Sequence, residues 1–348
     1  AKHFNYMKVN DINYYHVATP FTELMYRSAF VQGQLLDALF SVNTSPRFNF
    51  TIARKGLRSL GNYQHFLSSS SNFRFSTSYI SKNDKYLLKT HYVNQNIFSE
   101  ENGGIRDDDV INFESGNSEF IDRSVFDPQF ENADNTLQGK RVYLNQNYFI
   151  TNSTDSLNIK KWSFGNIISL ENKYYQFKQD SPNIYFGESN NATQVNDKIS
   201  FDTFLVNFNS SFISSKGGTM SVFFNFRDIA YSYQNLADIS DQFNYESIIE
   251  ENTSVGLNYT IKKDKYSFDF QYESLLGKDT QGGLLNASIL FRINNDSNLI
   301  LAFSDVDSSA NYNYKINHSA YSNYNWNNDL QNISTTKYLL SFDSNNLF

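Results

Sequence analysis

Residues 254–276, SVGLNYTIKKDKYSFDFQYESLL, alternate between apolar and polar side chains so regularly that few folds accommodate them. Val255, Leu257, Tyr259 and Ile261 are interleaved with Gly256, Asn258 and Thr260. After a tight KKDK the pattern resumes, with Tyr266, Phe268, Phe270 and Tyr272 set against Ser267, Asp269, Gln271 and Glu273. Successive side chains of a strand point to opposite faces, so this is a hairpin with one apolar and one polar face. A soluble sandwich and a membrane barrel both use such hairpins. The connections between them distinguish the two.

The same alternation recurs along the chain. Residues 2–15 are aromatic and β-like, and HVATPFT closes them with a proline turn. Leu24, Tyr26, Ser28 and Phe30 form one row, and Leu36, Ala38, Phe40 and Val42 form the next. The turns NTSP, SKND, SSKGG and KKDK are short and TNSTDSLN is moderate, while residues 55–69, 94–139, 178–199 and 229–252 form long polar connections. Short turns on one rim and long loops on the other are the arrangement of outer-membrane barrels. Strands of about ten residues cross a hydrocarbon layer when tilted about 45°. Two aromatic strands are expected after SDVDSSAN. The expected fold is all-β: an antiparallel up-and-down transmembrane β-barrel of about sixteen strands, fourteen to eighteen, with short periplasmic turns and long extracellular loops. Tyr79, Tyr92, Tyr266 and Tyr272, at row ends, suit interfacial girdles.

Composition agrees. Aromatic residues make up 17% of the chain against four prolines and fifteen glycines, a vocabulary of strands rather than linkers. The absence of cysteine excludes disulfides and thiolate sites. A net charge of −7 argues against nucleic acid as a partner. A mean hydropathy of −0.52 does not exclude a barrel, because only alternate strand residues face lipid. Residues 1–348 read as one outer-membrane barrel domain with the loop 94–139 within it, and as a portion of a longer barrel chain, since strand-like sequence runs to both ends.

The alternation assigns side chains to faces. Asp37, Arg74, Lys89, His91, Arg227, Asp269, Glu273 and Arg292 fall in polar rows expected to line the lumen, where they either set ion preference or pair across it. Phe48, Phe50, Phe224, Phe226, Phe268, Phe270, Ile289 and Phe291 fall in rows expected to face lipid. The five histidines lack metal-ligand spacing, and His91 beside Lys89 on the polar face argues against a Ser–His site on the lipid side. No catalytic residue, cofactor or metal is expected. Between Glu100 and Asp134 eleven acidic residues face two arginines, which makes this a solvated loop. Calcium at Asp107–Asp109 is the weaker reading, since the EF-hand pattern is absent. A third reading folds the loop into the lumen on Ile105, Val110, Ile111, Phe113 and Phe120.

The stretch ATPFTELMYRSAFVQGQLLDALFSVNTSPRFNFTIARKGLRSLGNYQHF, opening at Ala18, resembles the "putative porin" family of Bacteroidota outer-membrane proteins. So do ENGGI ending at Ile105, FESGNSEFIDRSVF at 113–126 and ENADNTLQGKRVYLN at 131–145. The resemblance implies the outer membrane of a Gram-negative cell and a pore. The expected function is passive diffusion of small hydrophilic solutes, with outer-membrane lipid as partner, and with another copy of the chain or other outer-membrane proteins as possible neighbours. The alternative is a loop-plugged barrel acting as scaffold or partner subunit of a secretion or uptake complex. A soluble adhesin is a more distant third.

Overall fold

From the first strand to the thirteenth each pairs with the next in the chain, and with a last strand added beyond a rim segment the result is one antiparallel sheet of fourteen strands. The computed structural model describes residues 2–29, 33–150, 160–234, 247–277, 282–294 and 296–344. The strands are β1 (Phe21–Ala29), β2 (Gly33–Ser45), β3 (Phe48–Ser59), β4 (Ser68–Ile80), β5 (Tyr86–Glu101), β6 (Ala133–Phe149), β7 (Lys160–Gln179) and β8 (Val195–Ser214). They continue with β9 (Gly218–Gln234), β10 (Ile248–Lys262), β11 (Tyr266–Leu276), β12 (Gly283–Arg292) and β13 (Ser297–Ser308). A two-residue pair, β14 (Ile316–Asn317) and β15 (Trp326–Asn327), stands apart, and β16 (Ile333–Ser344) completes the sheet beside β13. The outermost strands are β1 and β16, and among the described residues they do not pair with each other.

Directly opposed residues share a face, so the register sorts every strand residue. One row runs Ser41, Thr51, Ser76, His91, Tyr143, Ser169 across β2 to β7. A row on the other face runs Tyr259, Phe270, Ala287, Phe303, Tyr338 across β10 to β16. The first face carries the polar groups and is covered by other parts of the chain; we call it the inner face. The outer face leaves large apolar side chains uncovered: Phe208 is 54% exposed, Phe224 41% and Tyr338 81%. Such a continuous apolar surface is not stable in water and suits lipid.

The structure corrects several sequence expectations. Strands run from nine to twenty residues rather than about ten. The extra length lies toward the long-loop rim, where outward positions turn polar: Asn172, Gln176 and Lys178 in β7, and Asn196, Lys198, Ser200 and Asp202 in β8. There the alternation reverses phase, with Tyr175 and Phe177 of β7 and Ile199 and Phe201 of β8 turned inward, and the backbone ladder continues. The loops shrink accordingly, to 60–67, 102–132 and 180–194. Tyr92 lies mid-strand for the same reason, whereas Tyr79 and Tyr266 do stand at strand ends. Residues 2–15 are not a strand; they form two 3-10 turns, Lys2–Asn5 and Val9–Asp11, and an extended segment. In place of two terminal strands, residues 309–332 form a rim segment with a short helix, Tyr312–Lys315, and only β16 follows. TNSTDSLN and Phe30 lie outside the described residues, as do 235–246 of the expected 229–252 connection, whose two flanks belong to β9 and β10 rather than to a loop.

Candidate functional site

The inner face is a hydrogen-bonded polar surface. At the short-turn end Asn49 Nδ2 donates to Asn43 Oδ1 at 2.6 Å and to Ser41 Oγ at 3.1 Å, and Thr51 Oγ1 donates to Ser41 Oγ at 2.9 Å. Across β9 to β11, Glu273 accepts from Ser254 Oγ at 2.6 Å and from Asn225 Nδ2 at 3.1 Å. Buried polar groups must be paired, and here short side chains on adjacent strands satisfy one another.

The N-terminal segment lies across this face. Met7 makes a double hydrogen bond with the amide of Gln95: its N–H donates to Oε1 at 2.9 Å, and its carbonyl accepts from Nε2 at 3.1 Å. The same carbonyl accepts from both terminal nitrogens of Arg141, at 3.1 and 3.2 Å. Tyr6 donates to Glu171 at 2.5 Å, and Arg141 lies 3.6 Å from that carboxylate. Gly139 of β6 makes room, since a Cβ there would overlap the Tyr6 phenol. Farther along, Ser76 donates to the Asn13 carbonyl at 3.3 Å, Ser78 to the Tyr15 carbonyl at 3.2 Å, and the Val17 N–H to Asn43 Oδ1 at 3.1 Å.

Arg141 is the centre of this contact; its side chain is 2% exposed. Its Nε donates to His91 Nε2 at 3.2 Å, which leaves the imidazole proton on Nδ1, 2.7 Å from Tyr14 Oη. The His91 ring stacks on Tyr143 with centroids 4.8 Å apart. A guanidinium, one carboxylate and one backbone carbonyl thus tie β5, β6 and β7 to the segment. Such charge-assisted bonds are the strong ones.

The rim segment 309–332 covers the inner face of β7 to β10. Tyr231 donates to Asn313 Oδ1 at 2.9 Å and Tyr233 to the Ile316 carbonyl at 3.0 Å. Tyr312 donates to Glu250 Oε2 at 2.7 Å, and Lys315 Nζ lies 3.3 Å from Glu250 Oε1. Burial together with that bond to Glu250 raises the Tyr312 hydroxyl well above its ordinary pKa.

The residues singled out from the sequence divide as follows. Asp37 lies 3.5 Å from Arg74 and 3.6 Å from Lys55 on the inner face. Lys89 stands over the Tyr14 ring at 5.3 Å, beside His91. Asp269 accepts from Thr260 at 2.9 Å, and Glu273 is bonded as described. Arg227 shares the inner face opposite Asn252, and Arg292 is exposed at the short-turn end of β12, opposite Asn298. Phe48, Phe50, Phe224, Phe226, Phe268, Phe270, Ile289 and Phe291 stand on the outer face. The structure therefore brings His91 and Lys89 into one cluster and Asp37 and Arg74 into another, and leaves Arg292 apart. Sequence reasoning missed Arg141, Glu171, Gln95 and the two segment tyrosines. Arg141 shares parity with Tyr143 and Asn145 in a strand already read from about residue 140, so sorting that strand by face would have placed it in the inward row.

The acidic connection is a rim structure. Asp107–Asp109 form a 3-10 turn leading into a short helix, Val110–Glu114. Phe126, 2% exposed, packs between Phe113 at 5.8 Å and Phe120 at 5.6 Å, with the Arg123 guanidinium 4.2 Å over Phe113. Ile111 points to solvent, 75% exposed. Its outward bonds reach neighbouring loops: Gln64 donates to the Ser124 carbonyl at 2.9 Å, and Phe130 meets Phe186 at 5.4 Å. Among the described residues no three acidic or histidine groups are placed to hold a metal ion.

The fold is similar to solved outer-membrane receptors. One is the alcaligin outer-membrane receptor FauA of Bordetella pertussis, at 12% identity and a TM-score of 0.52, with 94% of this chain and 48% of that one covered. Another is the ferric enterobactin receptor PfeA of Pseudomonas aeruginosa, at 7% identity and a TM-score of 0.55, with 94% and 51% covered. The chain spans about half the length of these structures, and at such identities the likeness is one of fold alone. No curated protein matches the sequence. A family model described as "putative porin" matches residues 1–347, and the chain belongs to that family.

Proposed function

We propose that the protein acts in the outer membrane as a porin-like β-barrel channel for passive diffusion of small hydrophilic solutes. The observation that carries this reading is the sorting of the sheet: a polar face hydrogen-bonded across β2 to β11 on one side, and uncovered aromatic and aliphatic rows on the other. An apolar band in lipid and a polar wall in water use both surfaces. Lipid does not tolerate unpaired backbone edges, so β1 and β16 each take a pairing partner in the membrane. The structural neighbours bear the names of receptors, one for alcaligin in the outer membrane and one for ferric enterobactin, which adds support for the outer membrane and none for passive diffusion.

A second reading is favoured by one observation, the N-terminal segment held on the inner face by Gln95 and Arg141. A barrel occupied in this way serves as scaffold or partner subunit of an uptake or secretion complex. Single-channel conductance in a planar bilayer separates the two, using the intact chain, a variant lacking residues 4–17 and a variant lacking the rim loop 103–131. Ohmic steps in the intact chain that grow when 4–17 is removed support a channel narrowed by its own segment. Silence from all three, with heat-modifiable gel mobility retained, overturns the channel and supports the plugged scaffold.

A further inference from the structure

Where the rim segment crosses the inner face it leaves a cavity of about 640 Å³, large enough for a small organic molecule. Its walls are aromatic: Phe201, Tyr175 and the stacked pair Tyr231 and Tyr312, whose centroids are 5.3 Å apart at 25°. Asn311 and Asn313 close one side. Lys173 enters from β7, with its ammonium 4.5 Å above the Phe201 ring and 6.0 Å from the Tyr6 ring.

Lys173, like Lys89 over the Tyr14 ring, has aromatic rings rather than a carboxylate beside it. Arg74 is near Asp37, Arg141 near Glu171 and Lys315 near Glu250. The ammonium of Lys173 makes neither an ion pair nor a hydrogen bond with the described residues; it faces only rings. Directly opposite it across the sheet stand Gly139 and Phe201, neither of them acidic. The nearest inner-face carboxylate along its strand, Glu171, is already engaged by Arg141 and Tyr6. An unpaired cation beside flat aromatic walls, with amides and tyrosine hydroxyls at hand, is a recognition surface.

We propose that this cavity binds a small organic anion built on a ring, with the ring face against Phe201 and Tyr231 and the carboxylate on Lys173. Two sources share that chemistry, an acidic sugar and an aromatic carboxylate. The site extends the proposed channel, since solute must reach the inner face, but occupancy does not require conduction and is measured without it.

The chain has two tryptophans, and Trp326 donates its indole N–H to the Asn313 carbonyl at 2.9 Å, on the cavity wall. Trp162→Phe on the outer face leaves Trp326 as sole reporter. The experiment titrates the Trp162→Phe protein in detergent with galacturonate and with benzoate, and in parallel with galactose and benzyl alcohol, following Trp326 fluorescence. A saturable change with one of the two anions, weakened about tenfold or more by Lys173→Met, supports the site, and the responding anion identifies its source. Met retains the apolar stem that packs on Phe201. Retained heat-modifiable mobility shows that the variant is folded. Equal response to the neutral analogues, undiminished binding in Lys173→Met, or no saturable change with either anion overturns the proposal. Conductance without binding would overturn the site and leave the channel; binding without conductance would do the reverse.

Discussion

Replacing Arg141 by Met tests whether the inner-face cation holds the N-terminal segment in place. Met keeps the unbranched apolar stem and removes the guanidinium. The segment then loses the two contacts to the Met7 carbonyl at 3.1 and 3.2 Å, while Gln95 still reaches Met7 on both sides. A hydrogen bond from a charged donor contributes about 1.5–3 kcal/mol, and the two share one acceptor, so they count together as about 2 kcal/mol. At about 1.4 kcal/mol per factor of ten, the open state of the segment rises roughly 30-fold. The assay is amide hydrogen exchange by mass spectrometry on the peptide covering residues 4–17 in detergent, with peptides from β10 to β12 as internal reference. Exchange in 4–17 should accelerate by about that factor and the reference should not move. Removing one partner of a buried pair also costs β5 to β7 stability, about 3–5 kcal/mol locally, because Glu171 loses its counter-charge, and the reference strands lie away from that loss. If overall stability falls and exchange in 4–17 stays unchanged, Arg141 supports the sheet and does not hold the segment, and the reasoning fails.

Gly139→Val should release the segment by a different route, since the new side chain occupies the place of the Tyr6 phenol; exchange in 4–17 should rise although every bond to Arg141 remains possible, and unchanged exchange would refute the close approach. Phe224→Arg, on the outer face, should cost about 2–4 kcal/mol near the bilayer centre. Asn225→Lys, one residue on and turned toward Glu273, should cost less than about 1 kcal/mol. Urea titrations in lipid vesicles read both, and equal costs would contradict the assignment of faces. Phe126→Ala should cost about 3–5 kcal/mol locally, freeing the rim loop 102–132 to limited proteolysis while heat-modifiable mobility of the sheet is retained; a loop as resistant as before would show that the Phe113–Phe126–Phe120 cluster does not hold it.

The middle of each strand was legible and its rim end was not, for one physical reason. Between Val255 and Tyr272, lipid on one side and water on the other force an alternation that the sequence records. Above the apolar band Asn172, Gln176 and Lys178 face the same solvent as the loops while Tyr175 and Phe177 turn inward under the rim segment, so the rule of apolar side out no longer holds although β7 continues. The acidic connection therefore looked longer than it is. The segment at Tyr6 to Val17 was misread because its aromatic residues suggest strand, whereas its backbone bonds go to the side chains of Gln95, Ser76, Ser78 and Asn43. Side-chain partners that lie 26 to 88 positions away leave no local signature. The polar row containing His91 was visible as a row. Its grouping with Arg141 and Tyr14 depends on register between strands, which no single strand encodes.

The attachment points of the N-terminal segment all lie on β2 to β7 or the turn between β2 and β3. Apart from β13 with β16, every pairing in the sheet joins strands that are consecutive in the chain, so each strand finds its partners close to it in sequence. The segment's binding surface is complete once the first half of the sheet has formed. The seat formed by these attachments draws on none of β8 to β16. One half of the sheet thus carries the side chains that hold the segment, and the other half is free to serve a different purpose.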